Sequence, residues 1–136
     1  MGQLGDGAMV TWCDFEDEGD AEHEHWHTHE HIPERVGIPG FLRGQRFVAV
    51  SGAPKYFITY DVKNMDTLTS EGYLQRLNNP TPWSRVEVAR MRNLNRTLCR
   101  VTGNFGIGIG STLLSIRLGP APGKAEELRQ WLVGGV

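Results

Sequence analysis

Hydrophobic and polar positions alternate along residues 8–105 with two different periods. Alternation with a period of two is typical of strands with one buried face, and it predicts strands over residues 8–15, 41–50, 55–62 and 93–105. Segments with a helical period lie between them and predict helices over residues 21–31, 66–79 and 84–91, the last capped by Ser84. The segment SGAPK, residues 51–55, joins the middle two strands as a hairpin loop.

This order of elements predicts an α+β fold. Strand, helix, strand, strand, helix, strand is the ferredoxin-like βαββαβ arrangement, in which helices cover one face of an antiparallel sheet. The predicted strands carry apolar or aromatic residues on both sides, as at Phe47 and Val48 or Tyr56 and Phe57. The second face of the sheet must therefore be covered, and a second copy of the chain covers it most economically. We expect a homodimer through the sheet face.

The C-terminal residues 106–136 predict an additional strand–helix element. The segment TLLSIRL, residues 112–118, has the composition of a strand, and APGKAEELRQWLV, residues 121–133, is typical of a helix. The chain is thus divided into a ferredoxin-like α+β domain, residues 8–105, and an extension. The extension is either the start of a second repeat or an additional element that packs on a partner.

Pro33 predicts the end of the first helix. Proline has no amide hydrogen to donate and biases the residue before it away from the helical region. A break is therefore expected near His31 and Ile32, followed by a short turn that begins at Pro33.

Composition excludes several classes of partner. The net charge of −2 and the isoelectric point near 6.2 give no reason to expect binding to nucleic acids or anionic membranes. Only Cys13 and Cys99 are present, which is typical of a reducing compartment. No secretion signal and no apolar run of membrane-spanning length is visible. We expect a cytoplasmic protein.

Several motifs resemble the EthD-like and related families of the dimeric α/β-barrel superfamily. They are EHWHTHEHIPERVGIPGFLRGQRF, PKYFITYDV, DTLTSEGY and NPTPWS. The resemblance implies a dimer whose sheets face each other and a pocket between each sheet and its helices, but no reaction. Matching positions are held by Trp26, Glu30, His31, Pro33, Pro39, Gly40, Phe41, Arg46, Tyr60, Ser70, Tyr73 and Trp83.

All five histidines occupy alternate positions from His23 to His31, which raises the question of a metal site. On a helix, residues four apart share a face, so His23, His27 and His31 form one stripe and His25 and His29 another. Either stripe could supply a pair of ligands, but a metal site usually needs three or four that converge. Since no other histidine exists, a further ligand would have to be an aspartate, a glutamate, a cysteine or a residue of a partner chain. The pattern favours an exposed helix face that binds cations weakly, and we expect no metal and no cofactor.

Among the five histidines, His31 is the one for which we expect a role in ligand binding or catalysis. The resemblance implies that its ring points into the cavity, where a neutral imidazole serves as a general base or as a hydrogen-bond donor to a carbonyl. We hypothesise that His31, Tyr60 and Arg46 orient a small oxygenated or aromatic ligand, as in a cofactor-free enzyme or binding protein. Trp26, Phe41 and Trp83 are expected to form the pocket wall.

Two alternatives to this hypothesis remain at the level of sequence. His31 can instead donate to a backbone carbonyl and hold the turn. The whole chain can be a non-catalytic dimerisation module with an incidental metal-binding histidine helix.

Overall fold

The structure is a computed structural model and describes residues 2–134. Contacts divide these residues into two units, Leu4–Arg100 and a second unit formed by residues 2–3 and 101–134. No helix in the described part of the chain is both long and apolar enough to span a bilayer.

The first unit contains one antiparallel sheet of four strands, in the order β2-β3-β1-β4. The pairing of Met9 with Tyr60 and of Thr11 with Ile58 directs these four residues to the helix-covered face. The strand order and the intervening helices confirm the predicted ferredoxin-like α+β fold. The strands are β1 (Gly7–Phe15), β2 (Phe41–Val48), β3 (Tyr56–Val62) and β4 (Met91–Arg100).

The first crossover remains helical beyond the predicted break. Helix α1 (Asp20–Trp26) leads into a π-helical turn (His27–His31) and then into α2 (Ile32–Val36). The expectation that the chain leaves the helix near His31 and Ile32 is wrong, since both residues have helical dihedral angles. The amide of Ile32 bonds to the carbonyl of His27, five residues back, and this wider turn accommodates the proline that follows.

The second crossover contains a 3₁₀ turn (Met65–Thr69), α3 (Glu71–Asn78) and α4 (Pro82–Ala89). The N-cap of α4 is Thr81, whose hydroxyl accepts a hydrogen bond from the Ser84 amide at 3.0 Å, so the assignment of Ser84 as the cap is wrong. Pro82 occupies the first turn, where no amide donor is needed, and this moves the helix start towards Thr81.

The hydrophobic core lies between the sheet and the crossover helices. Met9, Cys13 and Phe15 of β1 contribute to it, together with all the residues of β3 that point to the same side, and Ile38, Phe41, Leu68 and Tyr73 complete it. Because β1 and β3 are the two central strands, their helix-facing residues are the most deeply buried.

The second unit contains helix α5 (Ala125–Gly134). The amide of Gln3 donates to Asn104 Oδ1 at 3.3 Å, and Asn104 Nδ2 donates to the carbonyl of Gln3 at 2.7 Å. Residues 112–118 have no strand pairing, so the strand predicted there is not formed, whereas the helix is. An apolar segment becomes a strand only when a neighbour satisfies its backbone groups. The proposed domain boundaries remain a prediction.

Candidate functional site

A cavity of about 140 Å³ lies between the sheet and the crossover helices of the first unit. Its floor is formed by strands β1, β3 and β4, and its other walls by the π-helical turn and helices α2, α3 and α4. The lining residues are Met9, Thr11, His27, His31, Arg35, Ile58, Tyr60, Tyr73, Leu77, Val88, Met91, Leu94 and Arg96.

Three of the histidines form a column on the buried face of the first crossover. The rings of His23 and His27 stack with centroids 5.6 Å apart, and those of His27 and His31 are 5.4 Å apart. His23 and His27 are buried, so the expectation of a uniformly exposed histidine face is wrong for this stripe. Only His25 and His29 are on the solvent side, where their rings contact each other at 4.4 Å.

Burial keeps all three rings of the column neutral at pH 7. Desolvation lowers the pKa of His23 to about 4, that of His27 to about 2 and that of His31 to about 3. Nearby positive charge acts in the same direction, from Arg46 on His23 and from Arg35 on His31. The column is therefore a set of neutral hydrogen-bonding rings rather than a cationic surface.

Arg46 determines which ring nitrogen of His27 carries the proton. Its guanidinium lies 3.1 Å from His27 Nδ1, and because arginine can only donate, Nδ1 must be the unprotonated nitrogen. The neutral ring then carries its proton on Nε2, which lies 3.4 Å from the hydroxyl of Tyr60. Tyr60 thus accepts from His27 and retains its own proton for another acceptor.

Tyr60 is a donor rather than a base. Its side chain is almost completely buried, and desolvation raises the pKa of its hydroxyl against the opposing influence of Arg35 and Arg46. The group remains a protonated phenol at neutral pH. Since it lines the cavity, the hydroxyl can donate to an oxygen of a ligand.

His31 lines the same cavity with an unsatisfied ring nitrogen. Within the described residues its Nδ1 is buried and has no hydrogen-bond partner, so the alternative in which this atom holds a backbone carbonyl is not observed. The ring packs against Trp26 at 4.6 Å between centroids. A pKa near 3 matches a hydrogen-bonding role better than general-base catalysis at pH 7, which favours a base with a pKa close to the ambient pH.

Two arginines and a tyrosine complete the polar wall. The guanidinium carbons of Arg35 and Arg96 lie 5.8 and 5.9 Å from the centroid of the Tyr73 ring. Arg96 also donates to the Tyr73 hydroxyl and approaches the sulfur of Met9 at 3.2 Å. Both guanidinium groups therefore border the space that His31 and Tyr60 border.

The remaining residues predicted for the site surround it without lining the cavity. Trp26 is fully buried, and its indole donates to the Ser84 hydroxyl at 3.2 Å. Phe41 packs in the core, 5.4 Å from the ring of Tyr73, and Trp83 lies beside the exposed ring of His25 at 5.6 Å. Arg46 contacts the cavity only through His27 and also donates to Thr28 Oγ1. Their proposed roles in ligand binding remain predictions.

Sequence reasoning missed five polar lining residues, His27, Arg35, Tyr73, Arg96 and Thr11. A signal existed for the first two, because they lie four positions before and four after His31 and so share its helix face. Because the helix was expected to end near Ile32, Arg35 was not assigned to the same helix face as His31. Arg96 reaches the cavity through its pairing opposite Thr11 of β1, which no local pattern reveals.

Metal binding has no support in the geometry of the described residues. No group of three or more histidine, cysteine, aspartate or glutamate side chains among residues 2–134 converges as metal ligands do. His23, whose two ring nitrogens are both buried without a described partner, is surrounded by Phe15, Trp26 and Tyr56.

No family model and no curated protein matches the chain. Solved structures do share its fold. A haem-degrading protein, MhuD from Mycobacterium tuberculosis, superposes with a TM-score of 0.54 at 13% identity over 74% of this chain and 99% of its own. A protein named as an antibiotic biosynthesis monooxygenase, from Deinococcus radiodurans, gives 0.52 at 15% identity over 77% and 99% of the two chains.

HapK from Hahella chejuensis gives a TM-score of 0.50 at 11% identity, covering 78% of this chain and 99% of its own. At these identities the similarity establishes a common fold and no more. The chain therefore has the ferredoxin-like α+β fold of these proteins, with a cavity between its helices and its sheet.

Proposed function

We propose that this chain binds a small oxygenated metabolite in the cavity beside His31 and Tyr60, as a cofactor-free enzyme or a binding protein. Two observations support it: His31 lines the cavity, and the buried Nδ1 of its ring has no described partner. A buried polar atom without a partner costs about 1–3 kcal/mol. A ligand oxygen or hydroxyl at this position would remove that cost.

The chemistry that these residues can provide is orientation and polarisation of a carbonyl or hydroxyl group. Tyr60 donates its phenolic proton, held in place because its oxygen already accepts from His27. His31 offers a neutral imidazole. Two such groups on facing walls fix a ligand oxygen and stabilise negative charge that develops on it.

The size of the cavity limits the ligand. An apolar cavity of about 150 Å³ holds one benzene molecule, and this cavity has nearly the same volume, about 140 Å³. A ligand of one ring with a few oxygen substituents fits. A haem has four pyrrole rings and is much larger than this space, whereas the MhuD structure contains two haems in its active site.

The experiment is a screen of single-ring metabolites by thermal shift and ligand-observed NMR. Binding to the folded state raises the apparent stability, so hits should raise the melting temperature of the wild type. His31→Ala should lose these hits, whereas His29→Ala, which removes an exposed ring of the same helix, should retain them. Hits that bind His31→Ala as tightly as the wild type would overturn the proposal.

We also propose that a second copy of the chain covers the sheet face opposite the helices. Trp12, Phe47 and Phe57 are half-buried on that face and contact one another, with ring centroids 5.1 Å apart for Trp12–Phe57 and 6.2 Å for Phe47–Phe57. Contiguous aromatic surface of this kind marks association sites.

Light scattering coupled to size exclusion tests this assembly. The wild type should elute as a dimer, and Phe57→Arg should be monomeric at the same concentration. Leu74→Arg places the same charge on the exposed side of α3 and should remain dimeric. A monomeric wild type would contradict the proposal.

A further inference from the structure

We infer that the ligand of this cavity is a small organic anion, a carboxylate attached to a single apolar ring. The inference rests on the proposed function and names the class of molecule that the site takes. Four features carry it: the charge of the lining, the pairing state of Arg96, the neutral donors of the lining, and the apolar remainder of the wall.

The charge of the cavity wall is one-sided. Arg35 and Arg96 line it, and the described residues that line it include no aspartate or glutamate. Arg35 has one carboxylate contact, from its NH1 to Glu34 at 3.2 Å, and a guanidinium has five donor hydrogens in total. The cavity therefore presents more positive charge than its own side chains neutralise.

Arg96 lacks a carboxylate partner in the described part of the chain. Its bonds are to the hydroxyl of Tyr73 and to the sulfur of Met9, both neutral groups. A neutral acceptor leaves the charge of the guanidinium uncompensated, whereas a carboxylate neutralises it and can accept two parallel hydrogen bonds from it. An arriving carboxylate would supply this missing partner.

The neutral groups favour the same ligand. Tyr60 donates a proton and cannot ionise at neutral pH, so it adds a donor without adding negative charge. His31 is neutral as well, and with its proton on Nδ1 it adds a second donor. Tyr60 and Arg96 lie on the sheet wall of the cavity, and His31 and Arg35 lie on the wall formed by the first crossover. Each wall therefore combines one neutral donor with one guanidinium, an arrangement that suits an anion.

The rest of the wall is apolar and sets the shape of the ligand. Ile58, Leu77, Val88 and Leu94 belong to it, from four different elements. The cavity volume of about 140 Å³ is close to that of a cavity that holds one benzene molecule. A ligand with a single apolar ring therefore fits against these four side chains. Benzoate is the simplest probe with this combination, and benzamide is its uncharged counterpart of the same shape.

The test compares benzoate and benzamide by isothermal calorimetry at pH 7. The wild type should bind benzoate at least about tenfold more tightly than benzamide, because only the carboxylate can neutralise a guanidinium and accept two hydrogen bonds from it. Arg96→Gln should reduce this preference to about twofold or less. Arg85→Gln, on the exposed side of α4, removes an equal charge away from the cavity and should retain the preference.

Two further arms keep the result interpretable. Arg35 is buried, so Arg35→Lys is used beside Arg35→Gln, and the fold of each is verified by circular dichroism. Raising the salt concentration should weaken benzoate binding to the wild type and leave benzamide binding unchanged.

The outcomes separate this inference from the proposed function. Equal affinity for benzoate and benzamide, or hits in the metabolite screen that depend on His31 but are all uncharged, would overturn the anion assignment and leave the pocket function standing. Absence of any His31-dependent hit in that screen would overturn both.

Discussion

Arg46 of β2 donates to Nδ1 of His27 on the π-helical turn at 3.1 Å, and this contact fixes the ring nitrogen that carries the proton. The consequence reaches the cavity, because His27 Nε2 then donates to Tyr60 and leaves the phenolic proton free for a ligand. Arg46 acts on the site through two intermediaries. It positions a donor without touching the cavity.

The tautomer of His27 is therefore a direct prediction. Long-range ¹H–¹⁵N NMR spectra of the wild type should show His27 with Nε2 protonated, and Arg46→Met should produce a mixture of tautomers. Loss of the hydrogen bond from a charged donor should also lower the free energy of unfolding by about 1.5–3 kcal/mol. Arg85→Met is the control, and a wild-type ring protonated on Nδ1 would contradict the relay.

Acid should destabilise the protein through the histidine column. The folded-state pKa values of His23 and His31, about 4 and about 3, lie below the ordinary value of 6.5, and the pKa of His27 is lower still. Above pH 6.5 the rings are neutral in both states and their contribution to stability is fully present. Below it the unfolded chain binds up to three more protons, so stability is lost as the pH falls towards the folded-state values.

The free energy of unfolding should fall by at most about 4 kcal/mol per pH unit, because each of the three rings contributes about 1.4 kcal/mol per pH unit. Urea unfolding between pH 7 and pH 5 measures it. His23→Leu should reduce the proton uptake on unfolding by nearly one, whereas His29→Ala, on the exposed face, should leave the column's contribution unchanged. A stability that does not change over this pH range would show that the rings are not buried as neutral groups.

The indole of Trp26 depends on Ser84 for its hydrogen bond. Ser84→Ala leaves the fully buried Nε1–H of Trp26 without its acceptor and should lower the free energy of unfolding by about 1–3 kcal/mol. In the background of Trp26→Phe the same substitution should cost much less, because no donor remains to be orphaned. Chemical denaturation of the four proteins in this double-mutant cycle gives the coupling, and additive effects would argue against the bond.

Thr81 connects the second crossover to the first. Its hydroxyl caps α4 through the Ser84 amide and donates to the carboxylate of Glu30 on the π-helical turn. Thr81→Ala should lower the free energy of unfolding by about 1–2 kcal/mol through the lost cap. Thr69→Ala removes an exposed hydroxyl and should change stability by no more than about 0.5 kcal/mol. Similar values for the two variants in urea unfolding would contradict the capping role.

Sequence alone determined the order of elements and hence the fold class. Alternating strands such as Tyr56–Val62 have a period that matches one buried sheet face, and the amphipathic segment before Asn79 matches a helix on that face. These are local properties, because side-chain direction follows directly from backbone geometry. His31 and Tyr60 were named for the site with the help of the family resemblance, and both line the cavity, while their roles remain predictions.

Only the tertiary structure decided which groups work together. The π-helical turn offsets the drift of about 40° that a spacing of four residues accumulates in an α-helix, so His23, His27 and His31 form a single column. Arg96 reaches the cavity because β4 pairs with β1, far away in the sequence. Burial and distant pairing arise only when elements pack, so the neutral rings and the cavity wall that contains both Arg35 and Arg96 are properties of the folded chain and not of its local pattern.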